Sequence, residues 1–219
     1  MKDIKTMLSE GQLTKVIKHV ETLLRDDPVN VDLNSSLIEL LCINGDLIRA
    51  DNKLNFMVEK NPDFLVGASN LRQLIRAEQG RQDFLKGKSV PNIFNATNQQ
   101  VQAFMKLRLE ICQGQTEEIQ QTAKLLETSR PEIIFEVNRQ ETNQLRDLDD
   151  TLAGFIEIFG TDGKFYIAQF SDIEYLYFKP VTSLIEQVWR RVDISIKNGP
   201  SGEVYLPMVY GTSFTDAEK

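Results

Sequence analysis

Residues 40–62 have the sequence LLCINGDLIRADNKLNFMVEKNP, and the organisation of the N-terminal half follows from this stretch. The pattern is that of an apolar helix, a tight turn at Gly45, a second amphipathic helix and a terminating proline at Pro62. A spacing of 17 positions separates Gly45 from Pro62, and the same spacing separates Gly11 from Pro28 and Gly114 from Pro131. Gly11 and Gly45 are 34 positions apart, which is the period of tetratricopeptide (TPR) repeats.

Apolar residues recur at helical spacing on both sides of these turns, which predicts a stack of helical hairpins in residues 1–130. The repeat then weakens. Gly80 lies near the position of the next turn, but Gly87 and Pro91 interrupt the helix that should follow, so residues 88–98 are predicted to form a loop. Because each hairpin has more apolar surface than it can bury alone, the hairpins should stack into a TPR-like α-α superhelix. The concave groove of such a stack can hold a peptide, often an amphipathic helix.

The periodicity changes after Pro131 to the alternation that is typical of strands. Strands are predicted at residues 151–159, 164–169, 173–178, 188–196 and 203–209, with Gly-containing hairpin turns at 160–163 and 198–202. Consecutive antiparallel strands of this length favour a small single-sheet, β-barrel-like domain that hides its edges. The expected fold is therefore α+β with two domains, a helical repeat domain at 1–130 and an acidic antiparallel β domain at 131–219.

The charge distribution favours the same division. Residues 1–130 contain 17 basic and 17 acidic side chains, whereas residues 131–219 contain 8 and 15, which accounts for the net charge of −7. An acidic half is unsuited to binding a nucleic-acid backbone, because such binding requires a concentration of lysine and arginine. No apolar run approaches the ~20 residues that would span a bilayer, and the N-terminus lacks the apolar core of a signal peptide. We therefore expect a cytoplasmic protein without membrane insertion.

Few residues could support catalysis or hold a metal ion. Asp147, Asp149 and Asp150 could together bind a hard cation, and with Glu157 they define one alternative function, a small metal-dependent enzyme or sensor. No EF-hand loop follows them and no histidine or cysteine lies nearby, so capping, turn formation or a partner contact suits these carboxylates better. The single histidine, His19, is predicted to face solvent, and one histidine excludes most hydrolase triads. No cofactor is expected.

The cysteine content agrees with a reducing compartment. The chain contains two cysteines, Cys42 and Cys112, and both lie in apolar helical patterns. Disulfides are rare in such a compartment, so we predict two buried free thiols.

An ordered set of short motifs carries a resemblance to a known family. The set comprises LIRAE at 74–78, Arg81, Phe84, Gly87, Pro91, DLD at 147–149, Leu152, FIEI at 155–158, GKFY at 163–166, Val188-Trp189, Leu206-Pro207 and Tyr210-Gly211. In this order it resembles the ImpE family, also called TagJ, whose members are accessory proteins of bacterial type VI secretion. The chain departs from the family pattern at Thr151, where arginine is usual, and at Ala153-Gly154, where Gly-Pro is usual. Arg190-Arg191 also follows Trp189 where a proline is common nearby. These departures concern local turns.

The resemblance implies a cytosolic adaptor without catalytic activity, built from a repeat domain and a β domain. It further implies binding to the N-terminal helix of the small sheath subunit, TssB or VipA, and a link to ClpV, the ATPase that recycles contracted sheath. Residue chemistry suggests Trp189 and Tyr210 as aromatic anchors, and Asp147 and Asp149 as contacts to a basic helix. The competing interpretation of Trp189 is a core residue of the β domain. These considerations leave the oligomeric state open.

Overall fold

A computed structural model describes residues 2–211 as an α+β fold, which confirms the predicted class. The helices in this range are α1 (Lys2–Ser9), α2 (Leu13–Asp26), α3 (Val31–Ile43), α4 (Leu47–Lys60), α5 (Leu65–Leu85), α6 (Gln99–Gln113) and α7 (Thr116–Thr128). The strands are β1 (Asn92–Ile93), β2 (Phe135–Val137), β3 (Gln140–Thr142), β4 (Phe155–Gly160), β5 (Phe165–Gln169), β6 (Ile173–Phe178), β7 (Trp189–Ile196) and β8 (Ser201–Pro207). Within the described range, no helix combines the length and the apolar character that crossing a membrane requires.

The turn glycines of the repeat separate helices as predicted. Gly11, Gly45 and Gly114 have φ angles of 73°, 76° and 70°, in the left-handed region that favours glycine. Each follows the last turn of a helix, where this conformation allows the chain to reverse direction. His19 is exposed on α2, which confirms its predicted orientation.

Gly80 does not form the turn that the repeat predicts. It lies inside α5, which continues to Leu85, and the chain leaves the helical direction only at Gly87, whose φ is 70°. A Cβ atom on Gly80 would lie 3.4 Å from the Cβ atom of Phe165 in β5. The glycine therefore permits a close approach between helix and sheet. The 34-residue period ends here because α5 packs against strands as well as against α4.

The main sheet has six strands in the order β1-β5-β4-β8-β7-β6. The five predicted strands correspond to β4–β8, and every ladder among them is antiparallel. They are not paired in sequence order, because β8 lies between β4 and β7 and separates the pair β7-β6 from β5. The segment predicted as a loop contributes β1, which pairs in parallel with β5 through Asn92 and Tyr166. A separate two-stranded hairpin, β2-β3, lies between α7 and β4 in the chain.

Aromatic side chains join the helices to one face of this sheet. The ring of Phe104 in α6 lies 4.6 Å from that of Phe155 in β4, and the ring of Phe84 in α5 lies 5.8 Å from that of Phe165 in β5. These residues belong to a single cluster of buried side chains that extends from Val16 in α2 to β7. The two predicted domains thus share one core, and the boundary near residue 130 stays a prediction.

On the opposite face of the sheet, the side chains of the strands pack against one another. A second cluster contains Ile158, Val192 and Leu206, and the partly buried side chains of Phe94 and Leu176 pack against it. Every member of this cluster belongs to a strand of the sheet or to the segment directly after β1. The sheet must therefore curl, since no helix supplies side chains to this cluster. Within residues 2–211 no ladder joins the two end strands, β1 and β6.

The two cysteines occupy different environments. Both are free thiols, and Cys42 is buried as predicted, with burial raising the pKa of its thiol. Cys112 is exposed, which corrects the prediction that it is buried. It lies in the last turn of α6, where its thiol is 3.5 Å from the backbone oxygen of Leu85 and only part of the side chain is covered.

We expect maleimide to label Cys112 and to leave Cys42 unmodified in the folded protein. The thiolate is the reactive form, and burial both hides Cys42 and favours its protonated form. Intact-mass spectrometry should show one adduct on the native protein and two adducts after unfolding in guanidinium. The matched variant Cys112→Ser should give no native adduct. Rapid double labelling of the native wild type would contradict this assignment.

Candidate interaction surface

Three of the four predicted contact residues come together at one corner of the molecule. The hydroxyl of Tyr210, which follows β8, donates a hydrogen bond of 2.8 Å to Asp147 Oδ1. The same oxygen accepts the backbone N–H of Asp149 at 2.8 Å. Asp149 Oδ1 in turn accepts the N–H and the hydroxyl of Thr151, at 2.8 and 2.7 Å. Both carboxylates therefore shape consecutive turns, and partial burial together with the bond to Asp147 raises the pKa of Tyr210.

These turns hold an apolar side chain in solvent. Leu148 lies between the two turn-forming aspartates and is 89% exposed, and Tyr210 beside it is 40% exposed. We call residues 147–150 together with Tyr210 the acidic corner. A single exposed leucine is ordinary on a protein surface. Here, however, the leucine lies in a hydrogen-bonded turn and is flanked in the chain by Asp147 and Asp149.

The carboxylates of the acidic corner do not assemble into a metal site. Across residues 2–211, no group of three or more histidine, cysteine, aspartate or glutamate side chains is arranged to hold a metal ion. Asp150 forms an ion pair of 2.5 Å with Arg146, and Glu157 binds Arg81 in the protein interior. The geometry gives the metal-dependent alternative no support.

Trp189, the fourth predicted contact residue, lies in the core. Its side chain is 3% exposed, and its ring meets that of Phe159 edge-on at 5.8 Å and 87°. This position agrees with the interpretation of Trp189 as a core residue. A direct partner contact through the indole stays a prediction.

A segment between β6 and β7 contacts the helical half directly. Ile185 donates its backbone N–H to Glu39 Oε2 at 3.1 Å, which fastens the 3-10 turn Ile185–Gln187 to α3. Burial raises the pKa of the Glu39 carboxyl. A small pocket between the helices and the sheet is lined by Cys42, Ile43, Arg81, Val188, Trp189, Pro207 and Val209. The sheet therefore occupies the surface of α3 and α5 around Cys42.

A buried ionic cluster ties α5 to the sheet. Arg81 donates two hydrogen bonds to Glu157 Oε2, from Nε at 2.9 Å and from Nη2 at 2.7 Å. Its Nη1 lies 3.6 Å from Glu78 Oε2, and Nη2 also donates to the backbone oxygen of Val209 at 3.0 Å. All three charged side chains are buried. Burial raises the pKa of Glu78, although the nearby Arg81 opposes this shift.

Sequence reasoning did not identify this cluster. It placed Glu157 in a hypothetical metal site and assigned no partner to Arg81. A signal was nevertheless present, because Glu78 and Arg81 fall on the same helical face as Leu74 and Phe84, which are apolar and buried. Charged residues on the apolar face of a helix require partners in the interior. Several charged residues of the family motifs thus have an internal, structural position.

The fold and the surface define an α+β protein in which a helical half and a curled sheet share a core and display a hydrogen-bonded acidic corner. The sequence profile described as ImpE protein matches residues 139–219. The type VI secretion system accessory component TagJ of Pseudomonas aeruginosa is 22% identical over 204 residues, which cover 93% of this chain and 72% of that protein. The crystal structure of protein VPA1032 from Vibrio parahaemolyticus is 35% identical, with a TM-score of 0.89, and the match covers 95% of this chain and 78% of that one. The chain belongs to the ImpE family.

Proposed function

We propose that this protein is a non-enzymatic adaptor of a bacterial type VI secretion system. Its similarity to a protein named as an accessory component of that system supports this role. The more specific part of the proposal is that it binds the N-terminal helix of the small sheath subunit, TssB or VipA, in the cytoplasm and acts with ClpV in sheath recycling. A TPR-like superhelix and a barrel-like curl of the sheet, without a ladder between its end strands β1 and β6 in the described chain, belong to the same proposal. The 34-residue spacing of Gly11 and Gly45 and the self-buried sheet face favour them.

The acidic corner is the observation that carries this proposal. Leu148 and Tyr210 offer apolar surface, and Asp147 and Asp149 supply negative charge beside Leu148, whereas the charge of Asp150 is balanced by Arg146. An amphipathic helix with basic residues beside its apolar face would complement both features. Burying the exposed leucine would contribute about 1.5 to 3 kcal/mol, and Tyr210 would contribute less because it is only 40% exposed. Micromolar affinity is reasonable once the costs of association are subtracted.

We expect Leu148→Arg to weaken binding of a fluorescein-labelled peptide of the TssB N-terminal helix by about tenfold or more. The substitution removes the apolar contact and places a positive charge against a basic helix, and tenfold corresponds to about 1.4 kcal/mol. The matched control is Ile48→Arg, which changes a side chain that is 75% exposed on α4 and should leave the affinity within about twofold. Fluorescence anisotropy measures both dissociation constants.

The same titration separates the competing outcomes. The wild type should bind in the micromolar range, and higher salt should weaken binding only moderately because the anchors are apolar. An absence of binding at high micromolar concentrations would contradict helix binding. An equal loss of affinity in the Leu148 and Ile48 variants would move the site away from the acidic corner. A loss in the Ile48 variant alone would place the site on the helical half.

A further inference from the structure

In the part of the chain that the structure describes, the outer edge of β6 has no partner strand. β6 is the last strand of the sheet and, within residues 2–211, it pairs only with β7. Three aromatic side chains of this strand are also open to solvent, since Tyr175 is 50% exposed, Tyr177 is 62% exposed and Phe178 is 48% exposed. Exposed sheet edges are normally shortened, charged or covered, because their free backbone groups can pair with another chain. An aromatic-rich open edge therefore needs an explanation.

The hydrogen-bond pattern identifies which backbone groups are free. Lys179 donates its N–H to Arg191 O, and in the same register Tyr177 lies opposite Asp193. Alternate residues of an antiparallel strand direct their N–H and C=O groups to opposite sides. Tyr175 and Tyr177 thus bond towards β7, whereas Leu176 and Phe178 direct their backbone groups to the open edge. These two residues form a short template on which a further strand can pair.

The charged groups beside this edge are mostly acidic. Lys179 binds both Asp193 and Glu203, at 2.9 Å each, so this trio keeps one negative charge. Glu174, which accepts a hydrogen bond from the Ser195 hydroxyl, is exposed and adds another. The neighbouring pair Arg191 and Glu186, at 3.2 Å, is balanced. A partner that carries lysine or arginine would therefore complement the edge.

The amount of exposed apolar surface argues against a stable dimer through this edge. An aromatic side chain can bury roughly 150–250 Å², and the three on β6 are each about half exposed. With the exposed Val181 they offer on the order of 400 Å², about half of the ~800 Å² that each partner contributes to a standard interface. Two copies would also bring two acidic edges together. A short extended segment requires less area, because main-chain hydrogen bonds supply part of its affinity.

We propose that the open edge of β6 binds an extended, basic segment of a partner protein by strand addition. This surface is additional to the acidic corner and takes a ligand of a different conformation. The segment adds an antiparallel or parallel strand that pairs with the backbone of Leu176 and Phe178. Its apolar side chains cover Tyr175 and Tyr177, and its basic side chains lie near Glu174.

The test compares two substitutions at one position. Phe178→Pro removes an N–H that points to the open edge, where proline is compatible with a sheet, whereas Phe178→Ala removes the same ring and keeps the N–H. The probe is a labelled nine-residue peptide that alternates valine and lysine, and its counterpart alternates valine and glutamate. The basic peptide should bind the full-length protein. Its affinity should fall about tenfold or more in the proline variant relative to the alanine variant, and the acidic peptide should bind much more weakly.

Hydrogen exchange of the wild type gives an independent readout. The amides of Leu176 and Phe178 should exchange rapidly in the free protein and become protected when the basic peptide is added. Because it uses the wild type, this measurement tests strand addition even if the proline variant fails to fold. An absence of binding, equal affinities of the proline and alanine variants, or equal binding of both peptides would overturn strand addition. If the amides are protected without peptide, if this protection disappears on dilution and if the protein has twice its monomer mass, a second copy occupies the edge. That result would also overturn strand addition of a partner segment.

Discussion

Arg81→Ala is expected to lower the free energy of unfolding by about 3 to 5 kcal/mol, because it leaves buried carboxylates without their counter-charge. Arg81 binds Glu157 through two hydrogen bonds and lies beside Glu78, and all three side chains are buried. The substitution also removes the bond to the backbone oxygen of Val209, which anchors the segment after β8. Urea unfolding followed by far-UV circular dichroism measures the change.

Arg76→Ala is the matched control for this prediction. Arg76 lies on the same helix and is exposed, so its replacement should change the free energy of unfolding by no more than about 0.5 kcal/mol. A double variant that replaces Arg81 and Glu157 by methionine should be more stable than Arg81→Ala, because it leaves fewer unpaired charges in the interior. A change of less than about 1 kcal/mol for Arg81→Ala would contradict the role given to the ionic cluster.

Trp189→Ala is expected to cost about 3 to 5 kcal/mol of stability, since it removes a large buried ring and leaves a cavity. The indole packs edge-on against Phe159 in the cluster that the helices and the sheet share. Trp189 is the single tryptophan of the chain, so its fluorescence reports unfolding of the wild type at this position. Circular dichroism follows both the wild type and the variant, which allows a direct comparison of midpoints.

Tyr210→Ala provides the contrasting surface variant. Tyr210 is exposed and its hydroxyl donates a hydrogen bond to Asp147 at the surface, so we expect a stability loss of about 1 kcal/mol or less and a clear loss of peptide binding. Trp189→Phe should retain much of the stability and all of the binding. An unchanged melting temperature together with lost binding in Trp189→Ala would show instead that the indole is a contact residue.

Local patterns predicted the parts of the fold that depend on neighbouring residues. Glycine at positions 11, 45 and 114 predicted the reversals between helices, because a left-handed turn is a local requirement. The alternation along residues 151–209 predicted β4–β8 for the same reason. At the candidate surface, the preference of Asp147 and Asp149 for turns was also predictable, since their bonds reach only two residues along the chain.

Contacts between distant residues could not be predicted in this way. Arg81 and Glu157 are 76 positions apart in the sequence, and no feature near either residue predicts the other as its partner. β1 is only two residues long and is stabilised by β5 rather than by its own pattern. Gly80 resembles a repeat turn, yet the approach of Phe165 decides its position. Leu148 becomes noticeable only when its exposure is known.

The place of β8 in the sheet has a consequence for how the chain can be assembled. β8 pairs with β4 on one side and with β7 on the other, although it is the last strand in the described chain. A ribosome releases residues 201–207 after all the other strands have been made. Without β8, the ladders of the described chain leave two separate ribbons, β1-β5-β4 and β7-β6. Arrival of β8 joins the two ribbons, so synthesis of the curled sheet ends with the strand at its centre.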